Sequence, residues 1–169
     1  MRSARLLAVC AALLMALSAQ AQAPTVGTVQ LTNLVQKEVE VEEGGQKIKK
    51  LVEPGKLTPG DELVYTMLYY NDATLAAERV VVNNVVPERS RLRAASVEGE
   101  GTEISYSVDG GKIYGLLEQL GVETGKSADG KPITRPATEA DVTHLRWVLA
   151  SALGPRASGF VRFRSVLLE

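Results

Sequence analysis

Residues 57–87 read LTPGDELVYTMLYYNDATLAAERVVVNNVVP: a turn, a strand, a polar corner and a second strand. At Pro59-Gly60-Asp61, proline presets φ and glycine supplies a backbone conformation closed to other residues, so the chain reverses there. In the following run, Glu62 to Tyr70, alternation places Leu63, Tyr65, Met67 and Tyr69 on one face and Val64, Thr66, Leu68 and Tyr70 on the other. Both faces are partly apolar, which predicts a strand at the centre of a sheet, with one face in the core and the other partly covered. Beyond the corner at Asn71, Val80, Val82 and Val86 share one side of the next strand.

Working outward, the same punctuation recurs along the chain. Segments rich in Val, Leu, Tyr, Thr and Ile, bounded by Gly, Pro, Asn and Asp, predict strands at Val29 to Val41, Lys47 to Val52, Leu92 to Val97, Glu103 to Val108, His144 to Leu149 and Gly159 to Leu168. Long helical periodicity is absent. The expected fold is all-β, an Ig-like antiparallel β-sandwich of about seven to nine strands, with an irregular insertion before the last two. Within that insertion, Gly121 to Thr134 suggests a protruding hairpin around Asp129-Gly130, and Pro136 to Asp141 suggests one helical turn capped by Thr138. The last strand is the plainest half-buried one: Val161 and Phe163 alternate with Arg162 and Arg164.

The N-terminus carries a different signal. MRSARLLAVCAALLMALSAQAQA has two arginines, an apolar run from Leu6 to Leu17 and small residues alternating with glutamine, the order of a secretory signal peptide. Cleavage after Ala21 or Ala23 is expected, giving a division into residues 1–23 (signal), 24–46 (N-terminal strand region) and 47–169 (sandwich). The apolar run is shorter than the roughly 20 residues a spanning helix needs, so no membrane segment is expected after cleavage. The expected location is therefore exported, periplasmic or extracellular. Cys10 is the sole cysteine and lies in the expected leader, so disulfides, thiolate metal sites and a cysteine nucleophile are not expected in the exported chain. Loss of Arg2 and Arg5 would leave 17 basic against 20 acidic side chains, a net charge of −3 that argues against nucleic acid as a partner.

With strands, turns and termini in place, the order of motifs resembles the bacterial DUF11 conserved-repeat family of Ig-like cell-envelope domains. The residues that carry the resemblance are Pro59-Gly60-Asp61, Tyr65-Thr66-Met67 leading to Asn71, Val80-Val81-Val82-Asn83-Asn84 leading to Val86-Pro87, Ile104 to Gly111, Thr143 to Trp147, and Gly159 to Arg164. It covers roughly Lys47 to Glu169. The resemblance implies a β-sandwich module of envelope or surface proteins with no catalytic residues to carry over. This chain departs from the family in having one copy of the module and none of the cysteines that cross-link some related proteins.

Candidate chemistry is sparse. His144, the only histidine, has no second histidine for a zinc site and is expected to sit at a strand edge, bonded to backbone or solvent. Ser105, Ser107, Ser151 and Ser158 lie outside any Gly-x-Ser-x-Gly elbow. Glu38, Glu40 and Glu42 share one strand face and read as a solvated acidic edge that deters pairing between sheets. Asp109 and Asp129 each precede glycine, which suggests turns, because neither loop has the converging oxygens calcium needs. Gly44-Gly45 and Gly99-Glu100-Gly101 lack the sequel of a phosphate loop. Tyr70, Tyr114 and Tyr106 are the rings available for a sugar platform, whereas Trp147, alternating with Leu145 and Leu149, belongs to the core.

No catalytic, cofactor or metal site is thus expected. The sequence points to a non-enzymatic structural or protein-interaction module of the cell envelope, with a glycan-binding module for peptidoglycan or exopolysaccharide as the alternative. The expected contact regions are a sheet edge, the acidic strand Glu38 to Glu43, and the irregular region Gly115 to Asp141.

Overall fold

The computed structural model describes residues 28–169; the expected cleavage sites and Cys10 lie outside the described residues. Among the described residues ten strands form, all antiparallel to their neighbours: β1 (Val29–Glu43), β2 (Gln46–Val52), β3 (Glu62–Asn71), β4 (Val81–Val85), β5 (Ser90–Gly99), β6 (Thr102–Ser107), β7 (Gly121–Lys126), β8 (Pro132–Pro136), β9 (His144–Leu149) and β10 (Ser158–Leu167). A five-stranded sheet in the order β2-β1-β3-β10-β5 packs on a three-stranded sheet in the order β4-β9-β6, and β7-β8 stands apart as a hairpin. The fold is an all-β sandwich. The strand count passes nine because the insertion is itself two-stranded.

The expected alternation in β3 holds. Leu63, Met67 and Tyr69 are buried on the inner face, while Val64 and Thr66 are buried on the outer face. β3 is central, between β1 and β10. From the facing sheet, Val80, Val82, Val86, Leu145 and Trp147 close the core with Val161 and Phe163. Phe163 is its middle: Tyr65 stacks on it at 4.8 Å between ring centroids and 8° between planes, and Trp147 tilts against it at 6.4 Å. The strand expected to carry Val80, Val82 and Val86 is shorter, Val81–Val85, and Arg79 just before it takes φ +52°, outside the extended region.

Two local devices set the register. Gly44 and Gly45 both have positive φ (61° and 77°), the demand of a two-residue hairpin turn whose twist matches the strands it joins. That turn puts Glu42 opposite Lys47 and Glu40 opposite Lys49. Gly159 lies under the ring of Tyr69, where a Cβ would meet the phenol oxygen at 2.4 Å, so the close passage of β10 past β3 requires glycine. The helical turn expected near Pro136 is a 3-10 turn, Glu139–Asp141, with a capping box between Thr138 and Asp141.

Candidate functional site

The outer face of the five-stranded sheet divides into a charged half and an apolar half. Cross-strand register brings Glu38 of β1, Glu62 and Val64 of β3 and Arg164 of β10 onto the same surface. Arg164 bonds Glu38 and reaches Glu62 at 3.2 Å; Lys49 bonds Glu38 at 2.6 Å from the other side, and Arg93 approaches Glu62 at 3.6 Å. Lys47 pairs with Glu40 at 2.7 Å. The acidic row is therefore not an edge, which corrects the expectation from sequence: β2 covers it and Glu38 is held by two bases, while Glu40 and Glu42 remain solvated as expected. β2 and β3 flank this half of β1, and bases on both sides meet Glu38. Arg164 lies directly opposite Val64, which is fully buried, so the arginine stem serves as a lid over an apolar side chain while its head is paired.

The electrostatics follow from these partners. Hydrogen bonds from Lys49 and then Arg164 hold the Glu38 carboxyl below its ordinary value of 4.5, against the opposing effect of burial. Asp61 is lowered by Lys37 and the Thr58 N–H, and Asp109 by the Ile113 N–H and the Ser107 hydroxyl. Asp141 is driven far below the carboxylate range by its two-pronged bond with Arg135, at 2.6 and 2.7 Å, with help from Thr138.

All four folded-state pKa values are depressed. Their stabilisation is complete above the unfolded values near 4 and is lost as pH falls through the folded ones. The urea midpoint is therefore expected to be flat from pH 7 to about 5 and to drop progressively below about pH 4. Asp141→Asn should lower the neutral-pH midpoint and flatten the acid limb. A midpoint unchanged down to pH 2.5 would contradict this assignment.

The other half of the outer face is an open groove of about 740 Å³ lined by Gln30, Thr32, Leu68, Tyr70, Glu100, Ser158 and Phe160, among others. Three large side chains stand unusually exposed there: Leu68 (45%), Tyr70 (37%) and Phe160 (44%), with Leu34 beside them at 42%. Arg162 bounds the patch, its guanidinium 5.0 Å from the Phe160 ring centre, its Nε donating to the Thr66 hydroxyl at 3.0 Å and its far end 3.4 Å from Glu98.

Of the rings considered for sugar, Tyr70 alone lies in this groove. Tyr114 is covered by Arg146 at 3.6 Å, and Tyr106 packs against the core. Phe160 and Leu34 are the members that sequence reasoning missed, while Leu68 reads from alternation only as an outer-face neighbour of Tyr70. Phe160 carried a signal: alternation sets it on the polar side of β10 with Arg162 and Arg164, out of phase with its chemistry.

The lone histidine sits at the opposite end of the three-stranded sheet. His144 is half-buried and directly opposite Ser107, two residues before Asp109, so histidine, hydroxyl and carboxylate do meet at one corner. Their bonding is that of a turn. The Ser107 hydroxyl donates to Asp109 at 2.7 Å and accepts from Gly111 N–H at 3.0 Å, and Asp109 also accepts from Lys112 and Ile113 N–H. His144 Nδ1 meets the Thr143 hydroxyl at 3.1 Å, and the Ser107 hydroxyl is engaged by Asp109 and Gly111 instead. Asp129 meets only Lys131, at 3.8 Å, and among the described residues no three His, Cys, Asp or Glu side chains converge as metal ligands. The β7-β8 hairpin is almost wholly exposed and is fixed at its base by the Ala137 N–H to Leu120 carbonyl bond and the Arg135–Asp141 pair.

Comparison with protein-family models, with curated proteins and with solved structures finds no match to this chain. Among the described residues no helix is long and apolar enough to cross a membrane.

Proposed function

We propose that this protein is an exported, non-enzymatic Ig-like module of the bacterial cell envelope, akin to the DUF11 domains, that binds another envelope protein through the apolar half of its outer sheet face. One observation carries the reading: Leu34, Leu68, Tyr70 and Phe160 stand exposed together beside a surface whose other half is ion-paired. A contiguous apolar patch rimmed by polar groups is the usual mark of an interaction surface. The signal-like N-terminus and the motif order support the location. A protein partner is favoured over a sugar because half the patch is aliphatic, and one face of the Phe160 ring is already occupied by Arg162.

The test is site-specific photo-crosslinking in the producing cell, with the reactive group at position 68 or, as control, at position 123 in the exposed hairpin. A protein adduct is expected from 68, falling at least about tenfold when Tyr70→Ala is added, while the melting temperature stays unchanged. Adducts from 123 with none from 68 would move the contact to the hairpin and refute this reading.

A second reading, glycan binding, is favoured by the Tyr70 ring lying in an open groove among Gln30, Thr32 and Ser158. Tyr70→Ala should then abolish retention on soluble peptidoglycan fragments or exopolysaccharide, and undiminished retention rejects it.

A further inference from the structure

β1 is paired unevenly. On one side β3 runs beside it from Val29 to Lys37; on the other, β2 covers only Lys37 to Glu43. Among the described residues no strand lies beside the second edge of Val29 to Gln36. The Asp72 N–H donates to the Thr28 carbonyl, so the even-numbered residues of this half face β3. By the same alternation, Val29, Leu31, Asn33 and Val35 point their backbone N–H and C=O groups outward.

Their side chains face inward, toward β4, where the sandwich is open. A cleft of about 240 Å³ there is lined by Val29, Leu31, Ala77, Val80 and Val82, among others. Leu31, though directed inward opposite Tyr69, is 53% exposed because nothing described lies over it.

The two halves of β1 differ in charge as sharply as in pairing. The covered half, Lys37 to Glu43, reads KEVEVEE; the uncovered half, Val29 to Gln36, reads VQLTNLVQ, with no charged residue, no proline and no glycine. Proteins guard an exposed edge with lysine, proline, bulges or short length, and this one carries none of those guards. A row of unpaired backbone groups in strand conformation is satisfied by another extended backbone and poorly by a sugar or a small ligand. A neutral segment can pair with its own copy without setting like charges against each other.

We infer that Val29 to Val35 is the edge by which two copies of this chain join, antiparallel about a two-fold axis, so that the five-stranded sheets continue into one another. With the axis at Thr32, Val29 lies opposite Val35 of the second copy and Leu31 opposite Asn33. The pairing spans about 20 Å of strand. It lies wholly within the stretch that β2 leaves uncovered, since the β1–β2 pairing starts only at Lys37. Residues opposite each other share a face, so Leu31 of the second copy also lies on the inner side, beside the cleft under Val80 and Val82. The contact is isologous, and each copy uses the same patch. The outer-face groove, with Gln30 and Thr32 on its wall, then lies next to its counterpart across the axis.

The experiment is sedimentation velocity or light scattering on the purified protein, expressed with its own leader, across a hundredfold concentration range. Twice the chain mass is expected at the upper end. Asn33→Pro removes one outward N–H while leaving the bonds to β3 in place, and Leu31→Lys adds a guard to the edge. Both should weaken dimerisation at least tenfold with the circular dichroism spectrum retained. Asn83→Pro, which removes an outward N–H on an edge of the facing sheet, β4, should leave the dimer intact. A monomer at every concentration overturns the proposal and leaves a strand from another protein, or this chain's own first residues, as the edge's occupant. A dimer lost with Asn83→Pro and kept with Asn33→Pro overturns it in favour of β4. The mass readout is independent of the position-68 crosslink, so either result stands alone.

Discussion

Phe163→Ala is expected to lower the free energy of unfolding by about 3–5 kcal/mol, the range for deleting a fully buried aromatic ring. The ring makes a stacked contact with Tyr65 and a tilted one with Trp147, and it has no exposure, so the cavity opens where both sheets meet. Collapse around it is limited because Tyr65 and Trp147 come from different sheets, each held by its own ladder. Phe163→Leu keeps most of the volume and should cost about 1–2 kcal/mol. Urea unfolding followed by Trp147 fluorescence reads both variants. A loss below about 1 kcal/mol for Phe163→Ala would mean that the core is not centred on this ring. With total stability for a domain of this size of order 5–15 kcal/mol, the alanine variant should be partly unfolded at 37 °C if the protein lies at the low end.

Asn71→Ala is the second large effect, about 2–4 kcal/mol, and it arises from polar bookkeeping in the interior. Asn71 is buried at the end of β3. Its amide nitrogen donates to the carbonyls of Leu75 (2.8 Å), Leu153 (2.9 Å) and Gly154 (3.0 Å), and its side-chain oxygen accepts from Ala73 N–H at 3.0 Å. The amide thus ties the corner after β3 to the loop before β10. Alanine leaves those backbone groups facing a void.

Asn71→Asp separates this account from simple volume loss. It keeps the acceptor for Ala73 but turns a carboxylate toward three carbonyl oxygens, so at pH 7 it should be worse than alanine. Burial and those oxygens raise the carboxyl's folded pKa above its unfolded value; the penalty is therefore present at neutral pH and relieved as pH falls through the folded pKa. If Asn71→Asp is as stable as the original at pH 7, the donor role of this amide is refuted.

Much of the fold was legible because alternation is a local signal. The faces of β3, the pairing of Val161 and Phe163 against Arg162 and Arg164, and the core position of Trp147 all follow from period two. What alternation lacks is the identity of the neighbour. Glu38 and Glu40 look like a free acidic edge by alternation alone, yet the two glycines at 44 and 45 set a two-residue turn, which by itself faces Glu40 with Lys49. Arg164, 126 residues further on, meets Glu38 only because β10 lies next to β3, and no local pattern encodes strand order. The groove was hidden for the same reason. Tyr70 and Leu68 were visible as outer-face residues of β3, but Phe160 joins them only through the β3–β10 register. Asn71 could be seen as a corner residue, and its bonds to Leu153 and Gly154, more than 80 positions away, could not.

Strand order also governs when the molecule can form. β10, the last of the described strands, is inserted between β3 and β5. Until residues 158–167 are available, β3 and β5 have no common partner and the core lacks Val161 and Phe163. A chain made from its N-terminus therefore lacks the centre of its larger sheet until β10 is available. Pairings of such long sequence separation make folding slow, because loop closure must precede the contacts that reward it.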